Sequence, residues 1–206
     1  AHFKASLVHG KIADLTGGMG LDSFAFAKAG CEVYYIERQA ELAQITQYNH
    51  QKLNAGTITH LTGDSLSWIK DQTEAFDFIY VDPARRDKAG NKVVLLQDCE
   101  PSSLELIPYI SSKTSLLIKT SPLLDLDRAI KELQGLEKIY IVCLKNEVKE
   151  VLFLKSSQST EDPEIEVIEL NAENSLLFKS RKSTEVNSAI PFSDALTTCM
   201  SPMRAF

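Results

Sequence analysis

No apolar run in the sequence approaches 18 residues, so no segment reads as a membrane-spanning helix, and no signal peptide is expected at its start. Cysteine is sparse and poorly placed for a framework. Cys31, Cys99, Cys143 and Cys199 are widely spaced, with no CxxC pair and no histidine at ligand spacing. Cys31 and Cys143 fall in apolar, strand-like runs. This pattern argues against a disulfide scaffold and a zinc site; reduced thiols in a cytoplasmic protein without metal are expected. Positive charge is not in excess either. Lys and Arg total 22 against 28 Asp and Glu, and a net charge of −6 argues against a broad nucleic-acid footprint. A local basic patch stays compatible with it. No internal repeat or low-complexity tract is visible. The chain begins AHFKAS, without Met, and its last stretch, STEVNSAIPFSDALTTCMSPMRAF, has weak periodicity. It reads as a piece of a longer protein.

What is present is enough for one substantial core, with 44% hydrophobic residues in a chain of 206. KIADLT (11–16) is an apolar run closed by GG, as a buried strand entering a tight turn would be. LDSFAFAKAG follows with helical spacing and Gly30 as its cap. CEVYYIE (31–37) is a second strand, and QAELAQITQYNHQKLNA an amphipathic helix stopped by Gly56. TITHLTG is a third strand, and DSLSWIKDQ a short helix that Asp64 or Ser65 can cap. FDFIYV (76–81) is the most apolar strand of these. The connection after it, about fifteen residues, is longer than most βα loops and is a functional candidate. PSSLELIPYI reads as a helix, TSLLIKT (114–120) as a fifth strand, and LDLDRAIKELQG as a helix.

The pattern then changes. KIYIVCLK (138–145) and EVLFLKS (150–156) are separated only by NEVK, too short for a parallel crossover, so they must pair antiparallel. EIEVIEL and SLLFKSR, joined through NAEN, form a further hairpin. The expected class is α/β: a doubly wound, mostly parallel seven-stranded sheet, Rossmann-like, with an antiparallel hairpin at its end and a small C-terminal β appendage.

ADLTGGMGLD puts Asp14 at the end of the first strand and Thr16, Gly17, Gly18 and Gly20 in the turn after it. Glycines there serve either a tight turn or the close approach of a ligand to the backbone. Glu37 favours the ligand. It stands at the end of the second strand, 23 residues after Asp14, where an acid can accept both hydroxyls of a ribose. A dinucleotide site would carry a third glycine at position 23, which is Ser23, and would not open on an acid that repels pyrophosphate. An acid suits the ammonium of a zwitterionic amino acid instead.

ADLTGGMGLDS, YYIER, LTGDS and VDPAR, in this order and at strand ends, resemble the successive motifs of class I S-adenosylmethionine-dependent methyltransferases, over roughly residues 10–156. The resemblance implies S-adenosyl-L-methionine as cofactor. It implies that Asp14 and the Gly17–Gly20 turn, with Thr16, hold the methionine moiety, that Glu37 holds the ribose, and that Asp64 and Ser65 lie against the adenine. The residue after the ribose acid is Arg38, where the family often has an apolar one. Residues 1–156 would be the methyltransferase domain, and 157–206 a β-hairpin and irregular extension.

The same resemblance places Asp82 and Pro83 beside the methyl group. Enzymes methylating exocyclic amines of bases commonly show Asp or Asn, two prolines and an aromatic there. Here Ala84 replaces the second proline and Arg85 the aromatic, closer to the DPPR form of RNA methyltransferases. The fifth strand reads IKTSPLLDLDRAI, without the nucleophilic cysteine that uracil-5 enzymes carry, so covalent C5 chemistry is not expected. A base nitrogen needs only orientation and an acceptor for its proton, and Asp82 is the candidate. Arg85, Arg86, Lys88 and Lys92 make a local basic loop in an acidic chain, suited to an unstacked base and its flanking phosphates. The expected catalytic set is Asp82, Pro83 and Arg85. The expected function is methyl transfer to a base nitrogen of rRNA or tRNA, with RNA as partner. The alternatives are a small-molecule or protein substrate, or a binding module without turnover.

Overall fold

The computed structural model describes residues 1–83, 96, 99–122, 124–145, 147–170 and 175–181. They fall into two compact units that divide between Ile118 and Lys119.

The first unit is built from α1 (His2–Ala5), β1 (Lys11–Asp14), α2 (Leu21–Lys28), β2 (Glu32–Glu37), α3 (Ala40–Lys52), β3 (Ile58–Thr62), α4 (Ser65–Asp71), β4 (Phe78–Val81), α5 (Ser103–Leu106) and most of β5 (Ser115–Thr120). Its strands run in the order β3-β2-β1-β4-β5, every neighbouring pair parallel. Strand order therefore reverses between β1 and β4, and the carboxyl ends of these strands open onto the crevice where ligands bind in such sheets. All four residues of β4 are buried, as expected of a strand covered on both faces. Phe26, Tyr35, Ile12 and Ile79 fill the core around it.

Local chemistry sets the element ends. α2 starts at Gly20, at φ 70°, and stops before Gly30, at φ 95°. Both lie in the left-handed region that glycine enters without a steric penalty. α3 ends at Lys52, earlier than the sequence pattern suggested, because Asn54 already turns to φ 50° before Gly56 is reached. Asp64 caps α4, accepting from Ser67 N at 2.8 Å. The helix expected over 101–110 is only one turn long and tightens into a 3₁₀ turn at Ile107–Tyr109, where Pro108 has no N–H to continue it.

The second unit holds the end of β5, α6 (Leu126–Leu133), β6 (Lys138–Leu144), β7 (Glu147–Lys155), β8 (Glu164–Glu169) and β9 (Ser175–Arg181). β6 and β7 are antiparallel, as their short connection required, but β7 begins at Glu147, so the turn is tighter than NEVK; it opens on Lys145 at φ 54°, and the ladder behind it carries a bulge at Val142/Cys143. β8 and β9 form the expected antiparallel hairpin. β8 also pairs parallel with β6, giving the order β7-β6-β8-β9. The expected C-terminal appendage is thus the β8–β9 hairpin, joined to β6 as a continuation of the same sheet. Cys31, Cys99 and Cys143 are thiols and form no disulfide with one another. Among the described residues, no helix is long and apolar enough to cross a membrane.

Candidate active site

The turn after β1 is fixed from all sides by groups with definite hydrogen-bonding roles. Asp14 is 1% exposed and lies beneath the turn. Its Oδ1 accepts from Thr16 N at 3.0 Å, and its Oδ2 accepts from the Ser23 hydroxyl at 2.6 Å. Burial pushes its carboxyl up to about 7, against the hydrogen bonds from Ser23 and Thr16, which pull it down. The acid expected to face a ligand's ammonium thus sits one layer deeper, holding the turn from below.

The glycines divide by cause. A Cβ on Gly17 would overlap the ring of Tyr35, which is fully buried and donates its hydroxyl to the Gly18 carbonyl at 2.7 Å. A Cβ on Gly20 would come within 2.6 Å of His50 Nε2 and also meet Thr46. Gly18, at φ 52°, has among the described residues only the Thr16 carbonyl near that direction, at 3.6 Å, so this is a side that a ligand can approach.

Glu37, 8% exposed at the end of β2, clamps the turn to the next loop. Oε2 accepts from Gly18 N at 2.9 Å and Oε1 from Gln39 N at 2.8 Å. Each carboxylate oxygen keeps further acceptor capacity for hydroxyl donors. Arg38 turns aside to pair with Glu100.

Ser65 donates its hydroxyl to the Leu15 carbonyl, and Asp64 stays an exposed cap whose carboxyl the Ser67 N–H holds below its usual value. At the end of β4, Asp82 N donates to Thr16 Oγ1 at 2.7 Å, and Pro83 follows, buried. Asp14, Thr16, Gly17, Gly18, Gly20, Glu37, Ser65 and Asp82 are thereby joined by direct bonds or close approach around one strand-end crevice. Arg85, Arg86, Lys88 and Lys92 lie outside the described residues, as does Ala84.

Several residues at this site carried no sequence signal. Lys4 is 3% exposed and reaches Asp22 at 3.1 Å, while Asp22 also accepts from the Tyr80 hydroxyl at 2.7 Å. His50 meets the Gly20 carbonyl through Nε2 at 2.9 Å; a carbonyl only accepts, so in the neutral ring Nε2 carries the proton. Nδ1 of His50 is then free to accept from Nε2 of His60, 2.9 Å away on β3. Burial holds both imidazoles below their usual pKa. Only Ser23, nine residues after Asp14 on the first helical turn, had a spacing that could have flagged it.

A glycine turn held against an acid at the end of β2, at the point where a parallel sheet reverses its order, is a ligand-crevice arrangement, and the chain that carries it is similar to methyltransferases. Residues 2–94 match the family model described as "Putative SAM-dependent methyltransferase". The chain is 32% identical to a putative methyltransferase of Porphyromonas gingivalis W83 whose crystal structure superposes with a TM-score of 0.75, covering 94% of this chain and 49% of that one. Ribosomal RNA small subunit methyltransferase J of Ectopseudomonas mendocina (strain ymp) is 34% identical over 91 residues, 39% of this chain and 35% of that protein. An rRNA methylase from Streptococcus thermophilus shares the fold, at 15% identity and a TM-score of 0.51. The chain therefore spans half or less of the length of the first two of these relatives.

Proposed function

We propose that the protein transfers the methyl group of S-adenosyl-L-methionine to a base nitrogen of RNA, in the cytoplasm, with ribosomal RNA of the small subunit as the first substrate to test. The observation that carries this reading is the bond from Asp82 N to Thr16 Oγ1, which ties the end of β4 to the glycine turn. A carboxylate so placed stands next to the expected methyl donor. Relatives in rRNA modification point to the substrate class. The cofactor supplies an electrophilic methyl on a sulfonium. The chain's own part is to hold and orient. Gly18 offers an open approach, Glu37 accepts ribose hydroxyls, and Ser65 and Asp64 border the adenine. Asp14 acts from below, by fixing the turn.

Asp82 is the proposed catalytic residue. Its carboxylate accepts a hydrogen from the acceptor nitrogen and aims the lone pair at the methyl, with Pro83 stiffening the backbone that carries it. Positioning of this kind is a large part of the catalytic effect when the nucleophile is already reactive. Arg85, Arg86, Lys88 and Lys92 are proposed, on sequence alone, as contacts to the base and flanking phosphates. The test is transfer of labelled methyl from the cofactor to small ribosomal subunits, free rRNA, protein extract and metabolites in parallel. Label in RNA that survives protease and is released as a methylated nucleoside supports the reading. Label confined to protein or metabolites refutes the RNA assignment, and no label in any fraction refutes turnover by this chain.

A further inference from the structure

β1 and β4 pair in parallel with Asp14 opposite Tyr80, so Leu15 stands opposite Val81. In a parallel ladder one residue bonds the neighbours on either side of its opposite number. Leu15 makes the first of these two bonds, its N–H donating to the Tyr80 carbonyl at 3.0 Å. The second would run from the Asp82 N–H to the Leu15 carbonyl. The structure sends both groups elsewhere. Asp82 N donates to Thr16 Oγ1 at 2.7 Å, and the Leu15 carbonyl accepts from the Ser65 hydroxyl. Two side-chain hydroxyls thus stand in for one rung, at the place where strand order reverses and the crevice begins.

Backbone groups at a strand end need partners once water is displaced, and the cheapest partner for each of these two is the other. Rejoining them would carry the β1–β4 ladder one residue further and bring the two strand ends together. The hydroxyls remove that incentive. They also come from different motifs, Thr16 from the glycine turn and Ser65 from the start of α4, so the site's own parts hold it open. We infer that Thr16 and Ser65 are positioning residues whose hydroxyls replace the Asp82–Leu15 rung and keep the β1 and β4 ends parted for the cofactor. This rests on the cofactor reading given above.

The test compares Thr16→Val/Ser65→Ala, which removes both hydroxyls, with Thr16→Ser/Ser65→Thr, which keeps them. In the first variant the melting temperature is expected to stay within about 2 °C of the parent, since the backbone groups satisfy each other. Its affinity for S-adenosylhomocysteine, by titration calorimetry, is expected to fall about tenfold or more. The Asp82 amide, followed by hydrogen exchange, stays protected as the Leu15 carbonyl takes over from Thr16. The hydroxyl-keeping variant should match the parent in melting temperature and in exchange at Asp82, and lose clearly less affinity than the first, its remaining loss coming from the methyl added beside the adenine. Unchanged affinity in the first variant, an equal loss in both, or failure of the first to fold each overturns the inference. So does fast exchange at Asp82, because the strand ends then have no tendency to rejoin. A parent chain that binds no S-adenosylhomocysteine sinks the cofactor reading instead, and exchange at Asp82 still decides this one.

Discussion

Replacing Glu37 with Gln changes one atom and removes a charge, and the structure makes it more damaging than that suggests. The two carboxylate oxygens accept from different backbone donors, Oε2 from Gly18 N and Oε1 from Gln39 N. An amide offers one acceptor oxygen. Whichever way it is turned, its NH₂ faces one of those N–H groups, in a side chain that is almost wholly buried. A buried donor left unpaired costs about 1–3 kcal/mol, and each ribose bond to a charged acceptor is worth about 1.5–3 kcal/mol. Loss of one ribose bond alone corresponds to at least about a tenfold weaker complex. Glu37→Gln should therefore lower both the melting temperature and the affinity for S-adenosylhomocysteine. Glu37→Ala should weaken affinity similarly but cost no more stability than Gln, because the shorter side chain admits water to both donors. Scanning calorimetry and ligand titration on the three proteins give the comparison. If the Gln variant binds as tightly as the parent and melts with it, the clamp carries neither the turn nor the ribose.

Other perturbations follow from single contacts. Gly17→Ala should cost about 1–3 kcal/mol by overpacking against Tyr35, whereas Gly18→Ala should cost only the roughly 1 kcal/mol of a left-handed alanine; equal melting temperatures would contradict the packing argument. Lys4→Met leaves the partly buried Asp22 to the Tyr80 hydroxyl and should lower stability by about 1.5–3 kcal/mol in denaturant titration, while a loss below a few tenths would show the pair to be dispensable. Asp82→Ala should cut turnover by orders of magnitude with little change in S-adenosylhomocysteine affinity, and near-parental turnover would remove its proposed role. Acid should weaken the fold through His50 and His60. Their folded pKa values lie below the ordinary 6.5, so the unfolded chain binds protons first and stability is lost as pH falls through and below that value. Asp14 acts oppositely, since its carboxyl rises from 3.8 to about 7 and its contribution is lost as pH climbs through that window. His50→Gln should flatten the acid limb of a melting-temperature profile, and superimposed limbs would refute the titration of that ring.

The parts of this site written in local chemistry could be read from the sequence, and the parts made by pairing could not. Glycines after an apolar run and an acid at the end of the next one single out this turn without any knowledge of neighbours, and Glu37 bonds to Gly18. The same reading could not say that Asp14 faces inward, because that depends on Ser23 returning from α2 to meet it. The histidine pair joins α3 to β3 across ten residues, and nothing in either segment announces it. The hairpin of β6 and β7 was forced by a connection too short for a crossover. By contrast, the side of β6 on which β8 adds is a choice between two sheet edges, which strand propensity does not distinguish. Element ends moved where a residue other than glycine or proline took the unusual backbone conformation, as at Asn54 and Lys145.

The space that a side chain at residue 17 would need is the space that the ring of Tyr35 fills, so the two positions share one volume between adjacent strands. Variation at either is conditional on the other. A chain with a small residue at position 35 could carry alanine or serine at 17, but it would forfeit the hydroxyl that now holds the Gly18 carbonyl. The glycine of this turn is thus sterically coupled to an aromatic residue eighteen positions later. Grafting the turn into another sheet without that aromatic would transplant its letters and lose its shape.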